Sequence, residues 1–207
     1  MKDKFPRPTI KRLVLYKRLL EDLDNHNTTN VYSYTLAKQL GLNAAIIRKD
    51  ISMLGSFGNI NSGYNVKNLI KKLTEVLYTN KIQKVILIGL GNIGKALLGS
   101  KEEYISRGFD ICKVFDKDQN KTGKTYNGIE CLDIKDAYEY IKSKNIKIAI
   151  LAIQKEGLDN LVTTLIDSGI NSFLNFVPQK IQIPKDIHCE SIDFTMKLEE
   201  LSYYMNH

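Results

Sequence analysis

Apolar residues in the first part of the chain recur every three or four positions, the spacing that places them on one face of a helix. Four segments show this pattern, and we predict a helix in each of residues 10–23, 34–40, 42–54 and 66–78. Ser33 can cap the second helix and Asn65 the fourth, because both side chains accept hydrogen bonds from free backbone amides. Gly41 can end the second helix in the left-handed conformation.

The second and third predicted helices have the spacing of a helix-turn-helix. Ala37 is small enough for the two helices to cross closely, Gly41 tolerates the turn, and Ile47 can fill the core between them. The third helix would then be a recognition helix that carries Arg48 and Lys49 into a major groove. A pair of packed helices with no role in DNA binding is the alternative interpretation.

After residue 80 the pattern changes to short, almost continuous apolar runs that alternate with helical segments. Runs such as VILI and IAILAI indicate strands buried on both faces, and therefore a parallel sheet covered by helices. Predicted strands span residues 84–88, 111–115, 146–153 and 172–176, and predicted helices span residues 93–98, 134–143, 158–168 and 194–205. This order predicts a doubly wound α/β domain of the Rossmann type.

Glycines punctuate residues 55–64, GSFGNINSGY, a span that suits a short two-stranded wing. We therefore predict an α+β winged-helix DNA-binding domain over residues 1–80. A Rossmann domain over residues 81–190 and a C-terminal helix over residues 191–207 follow it.

The charge of the chain is concentrated in the predicted winged helix. Residues 1–80 hold 13 Lys and Arg against 6 Asp and Glu, while residues 81–207 hold 17 of each class. This asymmetry favours a polyanion as partner of the first domain, with a solvated charged surface as the alternative. No apolar run reaches the length of a membrane span and the start lacks the apolar stretch of a signal peptide, so we expect a cytoplasmic protein.

The three cysteines, Cys112, Cys131 and Cys189, are widely spaced and form no CxxC pair. That arrangement argues against a disulfide framework and against a zinc site, so we predict no metal. Ordinary buried cysteines are the main interpretation, and a thiol redox sensor is the alternative.

A phosphate-binding loop follows the first predicted strand of the second domain. Gly89, Gly91 and Gly94 form G-x-G-x-x-G at the opening of a helix, whose N-terminal amides can bind a pyrophosphate. Asp116 ends the next strand, 22 residues beyond Gly94, where a carboxylate binds the adenosine ribose. Since an anion there repels a 2′-phosphate, the sequence predicts NAD(H) in preference to NADP(H).

No catalytic machinery accompanies this loop. Hydride transfer usually requires an acid or base near the nicotinamide, and of the histidines His26, His188 and His207 only His188 is in range. Its surroundings indicate an ordinary loop or strand histidine. We therefore predict a non-enzymatic protein that binds a dinucleotide, with an NAD-dependent oxidoreductase and a sensor acting through a protein partner as alternatives.

Short motifs occur in both predicted domains, and their order along the chain is informative. They are LYKR at 15–18, IRKDIS at 47–52, FG at 57–58, GY at 63–64, GLGNIGKALL at 89–98, RGF at 107–109, FDKD at 115–118 with Lys121 and Gly123, IAILAI at 148–153, LNFVP at 174–178, IDF at 192–194 and LSYY at 201–204. Together they resemble the Rex family of redox-sensing transcriptional repressors over essentially the whole chain.

The resemblance implies a homodimer whose terminal helix exchanges between subunits. It also implies that NADH, as an effector and not as a redox cosubstrate, closes the dimer and releases it from operator DNA. Arg18 and Asp193 match a pair that links the winged helix to the NAD domain, and Phe194 matches an aromatic residue near the partner's nicotinamide pocket. The neutral ring of NADH suits an apolar pocket better than the NAD⁺ cation does, since the cation must be desolvated there.

The predicted site residues form two sets. The cofactor-binding set is Gly89, Gly91, Asn92, Ile93, Gly94, Asp116, Lys121, Ile153, Gln154, Phe176, Val177, Pro178 and Phe194. The DNA-binding set is Arg48, Lys49, Ser52, Arg12, Asn59 and Asn61. The chain departs from the family pattern at several positions. Asn59, Ile60 and Asn61 replace a basic run in the wing, and Gln154 replaces a proline beside the nicotinamide pocket. The other departures are Ile46, Met53, Leu54 and Ser100.

Overall fold

The structure is a computed structural model that describes residues 5–55 and 63–205. The chain divides into two compact units, residues 1–81 and residues 82–207, here called the N-terminal unit and the C-terminal unit. Each has its own apolar core, so each is described by itself.

The N-terminal unit contains a helix-turn-helix packed on two further helices. Its elements are α1 (Arg7–Asn25), β1 (Asn30–Val31), α2 (Ser33–Leu40), α3 (Ala44–Ser52), β2 (Tyr64–Asn65) and α4 (Val66–Val76). Leu13, Tyr16 and Leu20 of α1 are fully buried and share a core with Leu69 and Leu73 of α4. Helical periodicity therefore identified the core-facing side of both helices.

The turn between α2 and α3 has the predicted geometry. Gly41 adopts the left-handed conformation, with φ of 63°, Ala37 is buried, and Ile47 is fully buried between the helices. Ser33 is not the cap of α2, contrary to prediction. The helix begins at Ser33 itself after an extended Tyr32, and the Ser33 hydroxyl accepts a hydrogen bond from Arg48.

A short ribbon accompanies these helices. β1 pairs antiparallel with β2, with Val31 opposite Tyr64, and Asn65 caps α4 by accepting from the amide of Asn68, as predicted. The pairing partner of β2 lies at residues 30–31, before α2. The predicted wing contacts Asn59 and Asn61, together with Ile60, lie outside the described residues.

The C-terminal unit is a doubly wound sheet with helices on both faces. Its strands are β3 (Gln83–Ile88), β4 (Phe109–Asp116), β5 (Thr125–Tyr126), β6 (Ile129–Asp133), β7 (Ile148–Leu151), β8 (Ser172–Asn175) and β9 (His188–Ser191). Its helices are α5 (Asn92–Gly99), α6 (Lys101–Ser106), α7 (Ala137–Lys144), α8 (Leu158–Ser168) and α9 (Phe194–Met205), with a 3₁₀ turn at Ile134–Asp136.

The strand order places a ligand site at the centre of the sheet. The order is β5-β6-β4-β3-β7-β8-β9, and every pair is parallel except the β5–β6 hairpin. The chain leaves β3 first toward β4 and later returns to β7 on its other side. Ligands of open parallel sheets bind at such a reversal, beyond the carboxyl ends of the strands.

A hairpin and a helix of the C-terminal unit were missing from the sequence prediction. The β5–β6 hairpin turns at Asn127 and Gly128, which both have positive φ, so an available Asn-Gly hairpin signal was overlooked. α6 has no buried residue, so its sequence shows no apolar stripe. β9 was predicted only as an extended stretch, and it forms the outer strand of the sheet.

The last described helix presents apolar side chains to solvent. α9 has no buried residue, and Phe194, Leu198 and Leu201 are each more than 60% exposed. Within residues 5–55 and 63–205, no helix is both long and apolar enough to cross a bilayer. In the same residues no cluster of three His, Cys, Asp or Glu could hold a metal ion.

The cysteines pack as ordinary side chains. Cys131 is buried, while Cys112 and Cys189 are half-buried. Burial raises the pKa of the Cys112 and Cys131 thiols, which lowers their reactivity because the thiolate is the reactive form.

Candidate functional site

The glycine-rich loop connects β3 to α5 through two close backbone approaches. A Cβ on Gly94 would meet the carbonyl oxygen of Gly89, and a Cβ on Gly89 would meet the carbonyl oxygen of Ala152. Gly89 also has φ of 98°, which side chains rarely adopt. These two glycines therefore allow the strand, the loop and the helix to pack together.

Gly91 differs from its neighbours because a Cβ there would enter open space. Its backbone is extended, and as the N-cap of α5 it offers no side chain to the first amides of the helix. Those amides are free to bind an anion, and the helix dipole favours one. The loop therefore has the shape and the polarity that a pyrophosphate requires.

An open cleft of about 1070 Å³ lies over the carboxyl ends of β3, β4 and β7. Nine residues of the predicted cofactor-binding set line it: Gly89, Gly91, Asn92, Ile93, Asp116, Lys121, Ile153, Gln154 and Phe176. They come from five separate stretches of sequence and meet because parallel strands end at one edge of the sheet.

Four residues of that set do not line the cleft. Val177 is buried in the core under the β8 loop, where its apolar side chain packs, Pro178 is exposed, and Gly94 is buried beneath the loop. The absence of Val177, Pro178 and Gly94 from the lining corrects the prediction of direct contact for these three residues. Phe194 is 63% exposed at the start of α9.

Asp116 is held rigidly at the mouth of the cleft. One carboxylate oxygen accepts from the amide of Leu90 at 2.7 Å and from Lys121 Nζ at 3.1 Å, and the other accepts from the amide of Asp118 at 2.9 Å. Burial opposes ionisation, but these hydrogen bonds outweigh it and hold the pKa of Asp116 below its ordinary value. A fixed carboxylate thus faces the cleft at the end of β4.

Nine further residues of the cleft were not in the predicted set: Ile88, Phe115, Lys117, Asp118, Ile134, Ala152, Glu156, Gly157 and Leu161. Lys117 and Asp118 directly follow Asp116, so their position after the strand was a usable signal. Ile134 depends on β6, which the sequence prediction lacked, and no sequence pattern would have placed Glu156, Gly157 or Leu161 beside Phe176.

The predicted recognition helix exposes its cations. Arg48, Lys49 and Ser52 of α3 are exposed, while Ile47 and Ile51 on the same helix are buried. The Arg48 guanidinium donates to the Ser33 hydroxyl at 3.2 Å, which joins α3 to the first residue of α2. The charged face of α3 is therefore free to meet a polyanion and is partly preorganised.

Arg12 does not belong to that face, contrary to prediction. Its guanidinium donates to both carboxylate oxygens of Asp50 at 2.6 and 2.8 Å, and also to Thr9 at 3.1 Å. Asp50 is 2% exposed and lies on the buried side of α3. Arg12 therefore neutralises a buried carboxylate and fixes α3 to α1.

Family models match both units. Residues 4–52 match a model described as "Putative DNA-binding protein N-terminus", and residues 80–179 match one described as "CoA binding domain". CoA and NAD share an ADP portion, so the second description suits a loop that binds a pyrophosphate.

Relatives match over the whole chain. Redox-sensing transcriptional repressor Rex of Carboxydothermus hydrogenoformans is 36% identical over 97% of this chain and 96% of its own length. The Rex protein of Desulforamulus reducens is 34% identical over 97% of this chain and 95% of its own length.

The chain belongs to the Rex family of redox-sensing transcriptional repressors.

Solved Rex structures have the same fold. RSP, described as a Rex-family repressor, is 29% identical and matches with a TM-score of 0.88 over 98% of this chain and 94% of its own. RSP in complex with β-NAD⁺ and operator DNA is 30% identical and gives a TM-score of 0.92 over 98% of this chain and 93% of its own. RSP in complex with β-NADH gives 0.89. The Rex family thus includes a member solved with both forms of the dinucleotide.

The residues expected to couple the two units of a Rex protein lie on separate elements. Arg18 is exposed on α1. Asp193 precedes α9, and its Oδ1 accepts from the amides of Thr195 at 2.9 Å and Met196 at 3.3 Å. Asp193 therefore caps α9, a role that the sequence prediction missed although Asp is a preferred N-cap residue. The pairing of Arg18 with Asp193 stays a prediction.

Proposed function

We propose that the chain is a homodimeric repressor that binds operator DNA through its N-terminal unit and is released by NADH bound in its C-terminal unit. The observation that carries the proposal is one chain with both a cation-bearing recognition helix and a cleft suited to a dinucleotide. The RSP complexes with β-NAD⁺ and operator DNA and with β-NADH support it.

In this proposal the dinucleotide spans the cleft from β4 to β8. The pyrophosphate lies on Gly91 and the first amides of α5, with Asn92 and Ile93 beside it. Asp116 binds the adenosine ribose and disfavours a 2′-phosphate, and Lys121 keeps that carboxylate in place. Ile153, Gln154 and Phe176 form the nicotinamide end. The dinucleotide would supply a redox-dependent charge at its nicotinamide ring and act as an effector.

DNA binding is assigned to the exposed face of α3. Arg48 and Lys49 would contact base edges or phosphates, and Ser52 lies on the same exposed side. Asn59 and Asn61 are proposed to reach the DNA from the wing, as uncharged donors and acceptors.

The dimer is assigned to α9. Its exposed apolar residues, among them Leu198, Leu201 and Met205, need a covering partner in water, and exchange of this helix between subunits would provide one. Phe194 would then lie against the partner's nicotinamide pocket, and the pair of Arg18 and Asp193 would link the two kinds of unit. Operator binding places the protein in the cytoplasm.

Two variants test this division of roles in the full chain. Replacing Arg48 and Lys49 by Ala should weaken operator binding at least about tenfold. It should also flatten the salt dependence, because DNA binding then releases about one counterion fewer for each phosphate contact that is lost. NADH affinity, measured by the ligand's own fluorescence, should stay unchanged because neither residue lines the cleft.

The matched control replaces Lys142 and Lys144, exposed at the end of α7, by Ala. This pair removes the same charge and should leave both measurements unchanged. A parallel fall in NADH affinity for the α3 variant, or an equal loss of operator binding in the control, would contradict the assignment.

A further inference from the structure

Asn175 is a fully buried polar residue at the end of β8, next to the cleft residue Phe176. Its side-chain Oδ1 accepts from the amide of Val177 at 2.9 Å. Its Nδ2 lies within hydrogen-bond distance of the carbonyls of Val177 and Gln179, both at 3.1 Å. One amide thus organises the whole loop that carries Phe176 into the cleft.

The same amide also contacts the next strand. Nδ2 lies 3.3 Å from the Ser191 hydroxyl on β9, and the Asn175 carbonyl accepts from the amide of Ile192 at 2.8 Å. The orientation of the side chain is fixed, because Oδ1 must face the Val177 amide and Nδ2 must face the carbonyls. Asn175 therefore joins the Phe176 loop to the strand that ends at Ser191.

That strand leads directly to the terminal helix. Ser191 lies two residues before Asp193, whose carboxylate caps α9. Hydrogen bonds thus run from the loop of Phe176 through Asn175 to Ser191, and two residues of covalent chain connect Ser191 to the residue that caps α9. Phe176 is itself tied to β7, since its amide donates to the carbonyl of Leu151 at 2.9 Å.

We propose that Asn175 and Ser191 are positioning residues that couple occupancy of the cleft to the placement of α9. This inference rests on the proposed function and names the residues that transmit the effect of dinucleotide binding to α9. When the dinucleotide displaces Phe176, the loop moves with the Asn175 amide, since breaking its bonds would leave buried polar groups without partners. The shift then reaches β9 and the cap of α9 through the Ser191 hydroxyl.

The test uses Ser191→Ala in the full-length protein. Ser191 is exposed overall, so its replacement leaves the core intact. We measure operator affinity by fluorescence anisotropy with and without saturating NADH, and NADH affinity separately. Operator affinity without NADH should equal that of the wild type, and NADH should still bind. The factor by which NADH weakens operator binding should fall about threefold to tenfold. This is the change expected when one hydrogen bond that contributes to the coupling between the two sites is lost.

Two controls separate coupling from general damage. Ser191→Thr keeps the hydroxyl and should retain the wild-type factor. Ser172→Ala removes a hydroxyl from the other end of β8, where it bonds Asn171, and should also retain it. An unchanged factor in Ser191→Ala, with a wild-type protein that does respond to NADH, would overturn this inference alone. A wild-type protein that binds NADH and does not respond would overturn the proposed function itself.

Discussion

Among residues 5–55 and 63–205, each unit has one buried, ionised aspartate, and the two are used in opposite ways. Asp50 of the N-terminal unit is surrounded by side chains: Arg12, Thr9 and Tyr16 all donate to it, Tyr16 at 2.8 Å. Asp116 of the C-terminal unit is held by the backbone amides of Leu90 and Asp118 and by Lys121.

The difference lies in what remains for a ligand. Asp50 is 2% exposed and lines no described cleft, so its partners use it completely and it serves to fix α3 on α1. Asp116 is 8% exposed but faces the cleft, where a ribose can approach it. A buried carboxylate whose hydrogen bonds all come from side chains distant in sequence has a structural role. A carboxylate that loop amides position at the end of a strand is suited to bind a ligand.

The largest expected effect is on the N-terminal unit. Asp50→Ala leaves Arg12 and Tyr16 without their acceptor, and breaking a buried pair in this way costs about 3 kcal/mol of unfolding free energy. Hydrogen exchange of the α1 and α3 amides in the full chain should report this loss, while exchange in β3 and β7 stays unchanged. Asp22→Ala, an exposed aspartate of α1, is the control and should change stability by less than about 0.5 kcal/mol. Equal protection of α3 in both variants would contradict the structural role of Asp50.

A smaller effect, on binding rather than on stability, is expected at Asp116. Asp116→Ala should lower the affinity for NADH about tenfold, or about 1.4 kcal/mol, because the ribose hydroxyls lose their hydrogen-bond acceptor. Discrimination against NADPH should relax, because Lys121 is then free to meet a 2′-phosphate. Titration with both nucleotides measures this, with Asp186→Ala, an exposed aspartate outside the cleft, as control. Unchanged selectivity would remove the ribose assignment.

The smallest expected effect is the dependence of stability on pH. Burial opposes ionisation of Asp50, but hydrogen bonds from Arg12, Tyr16 and Thr9 outweigh it and hold the pKa of Asp50 below its ordinary value. A group whose pKa is lowered on folding stabilises the protein above its unfolded pKa, near 4, and loses that contribution as pH falls further. Protection of the α3 amides should therefore decrease as pH falls below about 4.

Asp50→Asn provides the sharper half of that experiment. Without a titrating group at this position, the dependence of α3 protection on acid pH should largely disappear, although the protein is less stable throughout. A decrease of the same size in Asp50→Asn and in the wild type would assign the effect to other carboxylates.

The sequence predicted most of the fold because its patterns are local. Helical spacing placed Leu13, Tyr16 and Leu20 in the core, and the three glycines with Asp116 placed the dinucleotide loop. What the sequence could not supply is the meeting of distant polar groups. Arg12 looked like a surface cation because nothing local shows that Asp50, 38 residues later, lies against it.

The same reason applies within the cleft. Val177 and Pro178 share a motif with Phe176, but the chain bends at residues 177–179 after β8, and only Phe176 of the three lines the cleft. The direction of the side chains in this loop depends on the contacts between Asn175 and β9. The apolar pattern of the sequence did not show where β9 lies. Glu156 and Leu161 escaped the prediction for a related reason, since the β7–α8 connection sets which of its residues reach the cleft.

Fluorescence anisotropy of the full-length protein on promoter-derived duplexes, with NAD⁺ or NADH at one fixed salt concentration, tests the central claim most directly. The account predicts specific binding with NAD⁺ that NADH weakens by about fivefold or more, the range of ordinary allosteric coupling. Absence of specific binding in both states, from a protein that binds NADH, would contradict it.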